Sequence, residues 1–345
     1  MACAMLSTRG IVDVSDPPLL QIRGLSISYP SERGAIGALR GIDLELAAGE
    51  CLSVVGESGS GKTQLLLAIL GLSAPSAQVR GSIRHRGQEL VGMRAAQLNR
   101  IRGKRIGMVF QDPMTALNPY LHVGAQITEV LRQHEGVRGR AAEQRAIELL
   151  ESLHMPEAAQ RMRQYPHELS GGMRQRAMIA IALIARPEIL LADEPSTALD
   201  VTVQAQVLSL FRELRERTGT AIVLVTHDLG VTAELADRVA VMYAGRVVEQ
   251  ADVRTLFESP RHPYTEALQA SIPRTDAALP THLPSIAGTS PDPAALPPGC
   301  AFAPRCLYRL PVCQMNPPAL IESTAAHWKA CHYDGVLGKI RGDAA

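Results

Sequence analysis

The sequence predicts an α/β protein with a mostly parallel sheet, and three observations support this fold class. Short apolar runs alternate with segments of helical periodicity, which is typical of parallel sheets covered by helices. One apolar run leads through a glycine-rich stretch directly into a helix-forming segment. The hydrophobic share of 46% and the charged share of 20% suit a globular protein, and 345 residues correspond to about two domains.

The first 250 residues carry the alternating elements. Partial alternation or a short apolar run predicts each strand, and apolar residues at helical spacing predict each helix. Strands are predicted at 20–29, 42–46, 52–55, 106–110, 189–192, 221–225, 239–243 and 247–248. Helices are predicted at 63–70, within 123–163, at 171–185 and from 203 to near 219. The helix-rich stretch from about 112 to 168 is interpreted as an insertion into the α/β core.

Charge and aromatic content argue against some classes of function. The 35 Lys+Arg and 34 Asp+Glu leave a net charge of +1, which disfavours a broad basic surface for nucleic acid. An aromatic content of 3% disfavours stacking on bases. No apolar run approaches the ~18 residues of a membrane helix. Residues 1–18 lack a secretory pattern and are expected to be a flexible extension of a cytosolic protein.

The glycine-rich stretch is a complete phosphate-binding loop. Gly56-Glu57-Ser58-Gly59-Ser60-Gly61-Lys62-Thr63 fits the P-loop pattern, with a predicted strand before it and a predicted helix after it. Glycines let backbone N–H groups turn towards a phosphate at a helix start. Lys62 is expected to reach the β- and γ-phosphates, and the Thr63 hydroxyl to hold Mg²⁺. The alternative is a glycine-rich turn that matches by accident.

A pair of carboxylates completes the predicted site. The apolar strand at 189–192 leads into Asp193 and Glu194, at the carboxyl end where ligands bind in open α/β sheets. Asp193 is expected to complete the Mg²⁺ shell, and Glu194 to activate a water molecule. The alternative is an acidic first turn of the next helix.

A second helix start has the character of an anion site. Ser170-Gly171-Gly172 opens the predicted helix at 171–185, and a serine with glycines at that position favours a helix cap or an anion. One domain has little use for two such sites on one nucleotide, whereas in a dimer this helix start can close over the γ-phosphate held by the other subunit. A plain helix cap is the alternative.

These motifs resemble those of ATP-binding-cassette (ABC) ATPases. Leu169–Gln175 resembles the signature sequence of the family, and the other motifs follow in the family's order over residues 19–250. The resemblance implies an ABC ATPase core with an antiparallel β subdomain and an inserted α-helical subdomain. It implies ATP-binding roles for Tyr29, Gly56, Glu57, Ser58, Gly59, Ser60, Gly61, Lys62, Thr63 and Gln64. It also implies that Ser170, Gly171, Gly172 and Gln175 face the ATP of a partner.

Four further positions take family roles by the same resemblance. Gln111 resembles the glutamine that senses Mg²⁺ and the membrane partner, and His227 resembles the switch histidine at the γ-phosphate. Taken singly, the alternatives are a surface amide for Gln111 and a helix-capping residue for His227. Asp200 ends a stretch, 196–200, that resembles the loop at the dimer seam. Tyr29 is expected to stack on adenine, with a sheet tyrosine as the alternative.

Two longer stretches resemble the ATPase subunits of dipeptide and oligopeptide importers. They are Gln111–Pro119 and His262–Leu268. The subfamily includes nickel and glutathione importers, and a non-transport ABC ATPase acting on nucleic acid or ribosomes is a further alternative. The resemblance implies a second ATPase subunit, two permease subunits and an extracytoplasmic solute-binding protein as partners, with no nucleic acid. It implies a peripheral position on the cytoplasmic face of the membrane.

Residues 251–345 are expected to form a separate, irregular module, because 13 of the 23 prolines lie between 251 and 320. Cys300, Cys306, Cys313 and Cys331 can supply four thiolates. Their wide spacing favours a [4Fe–4S] cluster over Zn²⁺, as the family resemblance also implies, and reduced packed cysteines are the alternative. His327 and His332 are alternative candidates for ligands but are expected to be exposed. Cys51 is expected in the core and Cys3 in the N-terminal extension.

Overall fold

The structure, a computed structural model, describes residues 17–32, 34–195, 201–271 and 286–338. Its strands, in chain order, are β1 (Leu20–Tyr29), β2 (Ile36–Leu46), β3 (Cys51–Val55), β4 (Gln78–His85), β5 (Gln88–Glu89), β6 (Ile106–Val109), β7 (Ile189–Asp193), β8 (Ala221–Thr226), β9 (Arg238–Tyr243), β10 (Arg246–Asp252), β11 (Ile321–Thr324) and β12 (His327–Lys329). Its helices are α1 (Lys62–Ile69), α2 (Ala95–Leu98), α3 (Pro113–Ala116), α4 (Val123–Glu135), α5 (Gly139–Ser152), α6 (Ala158–Arg161), α7 (Gly171–Leu183), α8 (Val201–Thr218), α9 (Leu229–Leu235), α10 (Val253–Glu258) and α11 (Pro263–Ala270).

The larger sheet has eight strands in the order β11-β12-β10-β9-β3-β8-β7-β6. The strands from β9 to β6 run parallel. Every residue of β3, β7 and β8 is buried, which explains their continuous apolar sequences. The carboxyl ends of β3, β6, β7 and β8 meet at one edge of the sheet, where the predicted nucleotide residues follow them.

The smaller sheet is antiparallel, with the order β2-β1-β4-β5. Leu20 of β1 pairs with Leu46 of β2 on one side and with His85 of β4 on the other. The buried side chains of β1 share a hydrophobic core with Leu65 and Leu66 of α1. This packing holds the antiparallel sheet against the helix that follows the P-loop.

The helices α3 to α6 lie between β6 and β7 in the sequence. The amphipathic helices α4 and α5 bury one face each, including Ile127 and Leu150, in a core shared with α7. The α/β fold with an antiparallel sheet and an added helical region is therefore confirmed. Cys51 is fully buried in the same core, as predicted, and burial raises the pKa of its thiol to about 12.

The C-terminal region packs on the core rather than apart from it. The predicted boundary at 250 falls inside β10, and β12 extends the larger sheet by pairing Glu249 with Lys329. Leu256, Tyr264 and Phe302 belong to the same hydrophobic core as β3. The proline-rich sequence does not prevent a short hairpin, because β11 and β12 are only four and three residues long. Across the four described ranges, no helix has both the length and the apolar character needed to cross a bilayer.

Candidate functional site

The P-loop runs from the end of β3 into α1 and needs its glycines. Gly59 and Gly61 have φ angles of +79° and +101°, which favour residues without a side chain. A Cβ atom on Gly61 would lie 2.6 Å from the carbonyl oxygen of Ala38, and one on Gly56 would lie 2.2 Å from that of Met242. The neighbouring backbone therefore lies so close to the loop that only glycine fits at positions 56 and 61.

Lys62 and Ser60 give the loop its polar interior. The Lys62 ammonium donates hydrogen bonds to the carbonyl oxygens of Gly56 and Glu57, at 2.7 and 3.0 Å. Burial lowers the pKa of Lys62, while the carboxylates of Glu194 and Asp193 act in the opposite direction. The Ser60 hydroxyl is buried with no hydrogen-bond partner among the described residues. A buried ammonium and an unpartnered hydroxyl at a helix start fit a phosphate group.

Thr63 and Asp193 lie side by side although 130 residues separate them. The Thr63 hydroxyl donates to Oδ1 of Asp193 at 3.3 Å, and Asp193 is 3% exposed at the carboxyl end of β7. Burial raises the pKa of Asp193, and the Thr63 hydrogen bond partly offsets this. A hydroxyl and a carboxylate beside a phosphate loop are oxygen ligands of the kind that Mg²⁺ prefers.

Glu194 forms the centre of a polar group at the ends of three parallel strands. Its Oε2 atom accepts a hydrogen bond from Nε2 of Gln111 at 3.2 Å and lies 3.2 Å from Nδ1 of His227. Its φ angle of +45° is unusual for a residue with a side chain. Such strain is concentrated at functional sites. The structure thus brings together the predicted water-activating Glu194, the predicted Mg²⁺-sensing Gln111 and the predicted switch histidine His227.

Gln111 and Glu194, but not His227, line a cavity of about 530 Å³, which extends over the P-loop to Ala244 and Gly245. Tyr29 lies at the end of β1, and its hydroxyl donates to Oε1 of Gln64 in α1. A larger groove of about 760 Å³ lies by the amino ends of the parallel strands. That groove contains no P-loop residue, and ligands of such sheets bind at the opposite edge.

The predicted partner-facing residues divide into two groups. Ser170 caps α7 and is exposed, as is Gly171, whereas Gly172 packs against Val203. Gln175 is 2% exposed, and its amide donates to the carbonyl oxygen of Pro195 at 2.6 Å.

The prediction that Gln175 faces a partner does not fit this position, because its amide is used inside the subunit. The hydrogen bond instead joins α7 to the backbone that follows Glu194. Asp200 and the rest of the stretch 196–200 lie outside the described residues.

The C-terminal region makes contacts with the P-loop that the sequence does not predict. Arg305 forms an ion pair with Glu57 at 2.7 Å, and Ser290 donates to the same carboxylate at 2.9 Å. Burial alone would raise the pKa of Glu57, but hydrogen bonds from Arg305 and Ser290 outweigh it and lower the pKa overall. No motif marks these partners, since 248 residues separate Arg305 from Glu57.

The four C-terminal cysteines lie near one another but not as a metal site. Burial raises the pKa of Cys306 and of Cys331 to about 11, although a backbone N–H bonded to each thiol lowers it. Cys300 and Cys313 are close enough to raise both values further. In the described part of the chain, no three His, Cys, Asp or Glu side chains are arranged to hold a metal ion. The geometry therefore does not support the predicted iron–sulfur or zinc site.

The prediction that His327 is exposed is wrong. It is 1% exposed, and its Nε2 atom lies 2.7 Å from Oε1 of the fully buried Glu249. The pairing of β12 with β10 buries both side chains together. His332 is half-buried and contacts the carbonyl oxygen of Asn316. Cys3 lies outside the described residues.

Two family models match the chain. The model described as "ABC transporter" matches residues 39–197, and the model described as "Oligopeptide/dipeptide transporter, C-terminal region" matches residues 248–313. The first match contains the P-loop, Gln111, Ser170 and Glu194. The second contains Tyr264, Ser290 and Arg305, the residues that contact Glu57.

Named relatives cover most of the chain. The oligopeptide transport ATP-binding protein OppD of Haemophilus influenzae is 48% identical over 87% of this chain and 93% of its own. OppD of Escherichia coli is 46% identical over 91% of this chain and 92% of its own. A putative peptide import ATP-binding protein of Brucella abortus is 46% identical over 93% and 96% of the two chains.

Solved structures of ABC cassettes are similar to the core. The dimeric cassette MJ0796, described as a bacterial ABC transporter cassette, has a TM-score of 0.62 at 30% identity, covering 68% of this chain and 99% of its own. A second structure of MJ0796, dimeric and bound to ADP and Pi, matches equally well. The similarity thus extends over the whole cassette and leaves about a third of this chain outside it.

Proposed function

Because the chain belongs to the ABC transporter family of oligopeptide-transport ATP-binding proteins, we propose that it hydrolyses ATP to power the import of dipeptides or oligopeptides. The observation that best supports ATP hydrolysis is the position of Glu194. It contacts Gln111 and lies beside His227 at the end of the P-loop cavity. The relatives named for oligopeptide transport support the cargo.

The P-loop residues bind and orient the triphosphate. Backbone N–H groups of 58–63 surround the β- and γ-phosphates, and the Lys62 ammonium neutralises their charge. Tyr29 stacks on the adenine, with Gln64 beside it. Thr63 and Asp193 would hold Mg²⁺, which would screen the phosphate charge that develops during the reaction.

Glu194 activates the attacking water molecule. Its carboxylate takes a proton while the water oxygen forms a bond to the γ-phosphorus, and the bond from that phosphorus to the β–γ bridging oxygen breaks. ADP leaves with the bonding electrons, and phosphate is the second product. Gln111, which contacts Glu194, would sense Mg²⁺ and the membrane partner, and His227, beside the same carboxylate, contacts the γ-phosphate.

A complete site requires two subunits. We propose that Ser170, Gly171 and Gly172 bind the γ-phosphate of ATP held by a second ATPase subunit, with Asp200 near the seam. Exposure of Ser170 and Gly171 supports this role, because both are accessible to another chain. Closure of the two subunits over ATP then shifts the attached membrane subunits between two states.

Membership of the family supports the proposal for the remaining assembly. We propose a heterodimer with a similar ATPase subunit, bound to two permease subunits at the cytoplasmic face of the membrane and served by an extracytoplasmic solute-binding protein. Nucleic acid has no role in this proposal. The division at 19–250 and 251–345, with 1–18 as an extension, stays a prediction.

The [4Fe–4S] cluster also stays a prediction. The geometry of the described residues does not support it. Iron and acid-labile sulfide in anaerobically purified protein test it, with the Cys306→Ser variant as the comparison. Protein without iron contradicts it.

Transport in vesicles tests the proposed function. The chain is reconstituted with its permease and ATPase partners, and ATP-dependent uptake of a labelled tripeptide, Ni²⁺ and glutathione is measured with the binding protein present. We expect uptake of the tripeptide alone, abolished by Glu194→Gln. Uptake of Ni²⁺ or glutathione instead contradicts the peptide cargo, and ATP hydrolysis without uptake of any of the three contradicts a role in import.

A further inference from the structure

Three side chains of the C-terminal region converge on one P-loop residue. Arg305 donates from Nη1 and Nη2 to the two carboxylate oxygens of Glu57, at 2.7 and 2.9 Å. Ser290 donates to Oε2 at 2.9 Å. The backbone N–H of Glu57 donates to the Tyr264 hydroxyl at 2.8 Å. Both the side chain and the backbone of Glu57 are thus held by residues more than 200 positions away.

Arg305 is rigidly placed. Its side chain is 6% exposed, and the guanidinium also donates to the carbonyl oxygens of Ala287 and Ile286 and to the Tyr243 hydroxyl. A planar guanidinium group that donates two hydrogen bonds to a carboxylate and also bonds three other acceptors is held in one orientation. The position of Glu57 is therefore determined by the C-terminal region.

Glu57 is in turn connected to the phosphate-binding residues. Its carbonyl oxygen accepts a hydrogen bond from the Lys62 ammonium at 3.0 Å. The cavity that contains the P-loop is also lined by Ser290, Pro291 and Pro293. The C-terminal region therefore reaches the predicted ATP site in two ways, through Glu57 and as part of the cavity wall.

The ion pair has an electrostatic consequence. A carboxylate in this loop repels a triphosphate, and the repulsion is strong where water is partly excluded. Arg305 cancels that charge at a contact distance of 2.7 Å. Without it, Glu57 would keep one negative charge beside the bound phosphates.

We propose that the C-terminal region forms part of this chain's own ATP site, with Arg305 as a positioning residue that neutralises Glu57 and holds the P-loop for the triphosphate. The proposal rests on the proposed function, because it takes ATP to be the ligand of the loop. Arg305 acts through Glu57, so its removal weakens ATP binding more than it slows turnover at saturating ATP.

A double-mutant cycle separates this role from a structural one. The full chain is prepared as wild type, Arg305→Gln, Arg305→Lys, Glu57→Gln and the double variant Glu57→Gln/Arg305→Gln. Arg309→Gln is the matched control, since Arg309 is an exposed arginine of the same region. The Kd for Mg-ATP, the kcat at saturating ATP and the Tm are measured for each.

We expect Arg305→Gln to raise the Kd about tenfold or more, because the Glu57 carboxylate is left unpaired. Arg305→Lys should recover part of the loss. The double variant should bind ATP better than Arg305→Gln, because the unpaired charge is gone, and about as well as Glu57→Gln. Arg309→Gln should match wild type.

A wild-type Kd in Arg305→Gln overturns the proposal, and so does a double variant as weak as Arg305→Gln. If Arg305→Gln does not fold, the comparison of the double variant with Glu57→Gln decides, and unequal Kd values overturn the proposal. A failure of the proposed function gives a different result. Wild-type protein that binds ATP without driving uptake contradicts the proposed role in import but leaves the proposed role of Arg305 intact.

Discussion

Nδ1 of His227 lies 3.2 Å from Oε2 of Glu194, and the two residues directly follow the adjacent parallel strands β8 and β7. Gln111, which follows β6, contacts the same carboxylate oxygen at 3.2 Å. The carboxyl ends of parallel strands project side chains towards one edge of the sheet. The fold therefore assembles the reaction centre from segments that are short and far apart in sequence.

Replacing Glu194 by glutamine should stop hydrolysis while ATP still binds. The amide keeps the shape of the side chain but cannot accept the proton of water, so we expect kcat to fall about 100-fold or more. Phosphate release and the Kd for Mg-ATP measure the two effects. Glu143→Gln, at an exposed position of α5, is the control. Turnover in Glu194→Gln close to wild type would remove Glu194 from this role.

Replacing Thr63 by alanine should weaken the binding of Mg²⁺. The hydroxyl that bonds Asp193 at 3.3 Å is lost, and loss of one oxygen ligand should raise the Mg²⁺ concentration for half-maximal activity about 10- to 100-fold. Titration of ATPase activity with Mg²⁺ at saturating ATP measures this. Thr324→Ala, at an exposed residue of β11, should behave like wild type. An unchanged Mg²⁺ requirement in Thr63→Ala would contradict the assignment.

Ser170→Arg should abolish hydrolysis without weakening ATP binding to the single chain. Ser170 caps α7 on the surface and does not line the P-loop cavity, so we expect a bulky cation there to leave this subunit's own ATP binding intact and to act on the site of another subunit. We expect a normal Kd for Mg-ATP and turnover as low as that of Glu194→Gln. Ser152→Arg is the surface control. Normal turnover in Ser170→Arg would refute a site shared between subunits.

Strands with continuous apolar sequences were predictable. The strand β7 was predicted at 189–192 and lies at Ile189–Asp193, because burial on both faces demands an uninterrupted apolar run. In contrast, β4 was not predicted. Its sequence Gln78–His85 is mostly polar and much of it is exposed, so only pairing with β1 reveals it.

The same distinction applies to the site. The P-loop and the Asp193–Glu194 pair are local motifs whose chemistry is visible in neighbouring residues. The partners of Glu57 are not local, since Tyr264, Ser290 and Arg305 reach it only when the C-terminal region packs on the core. The burial of His327 depends likewise on the pairing of β12 with β10, 78 residues earlier.

The stability of the protein should fall in acid, with His262 as a main cause. His262 is 1% exposed, and burial lowers its pKa from 6.5 to about 4, with the Lys329 charge acting in the same direction and Glu249 opposing both. The His262 imidazole therefore takes up a proton near pH 6.5 in the unfolded chain but only near pH 4 in the folded protein. The stability that the neutral imidazole contributes is fully present above pH 6.5 and declines as the pH falls from 6.5 to about 4.

The His262→Asn variant should lose less stability than wild type as the pH falls from 6.5 to about 4. Asparagine can still accept the Tyr264 N–H that now bonds to Nδ1 of His262 at 3.0 Å, but it does not titrate. Wild type should lose up to about 3 kcal/mol more unfolding free energy than the variant between neutral pH and pH 4. Urea unfolding at several pH values measures this, with exposed His167→Gln as the control. Equal pH slopes for His262→Asn and wild type would show that another group causes the acid sensitivity.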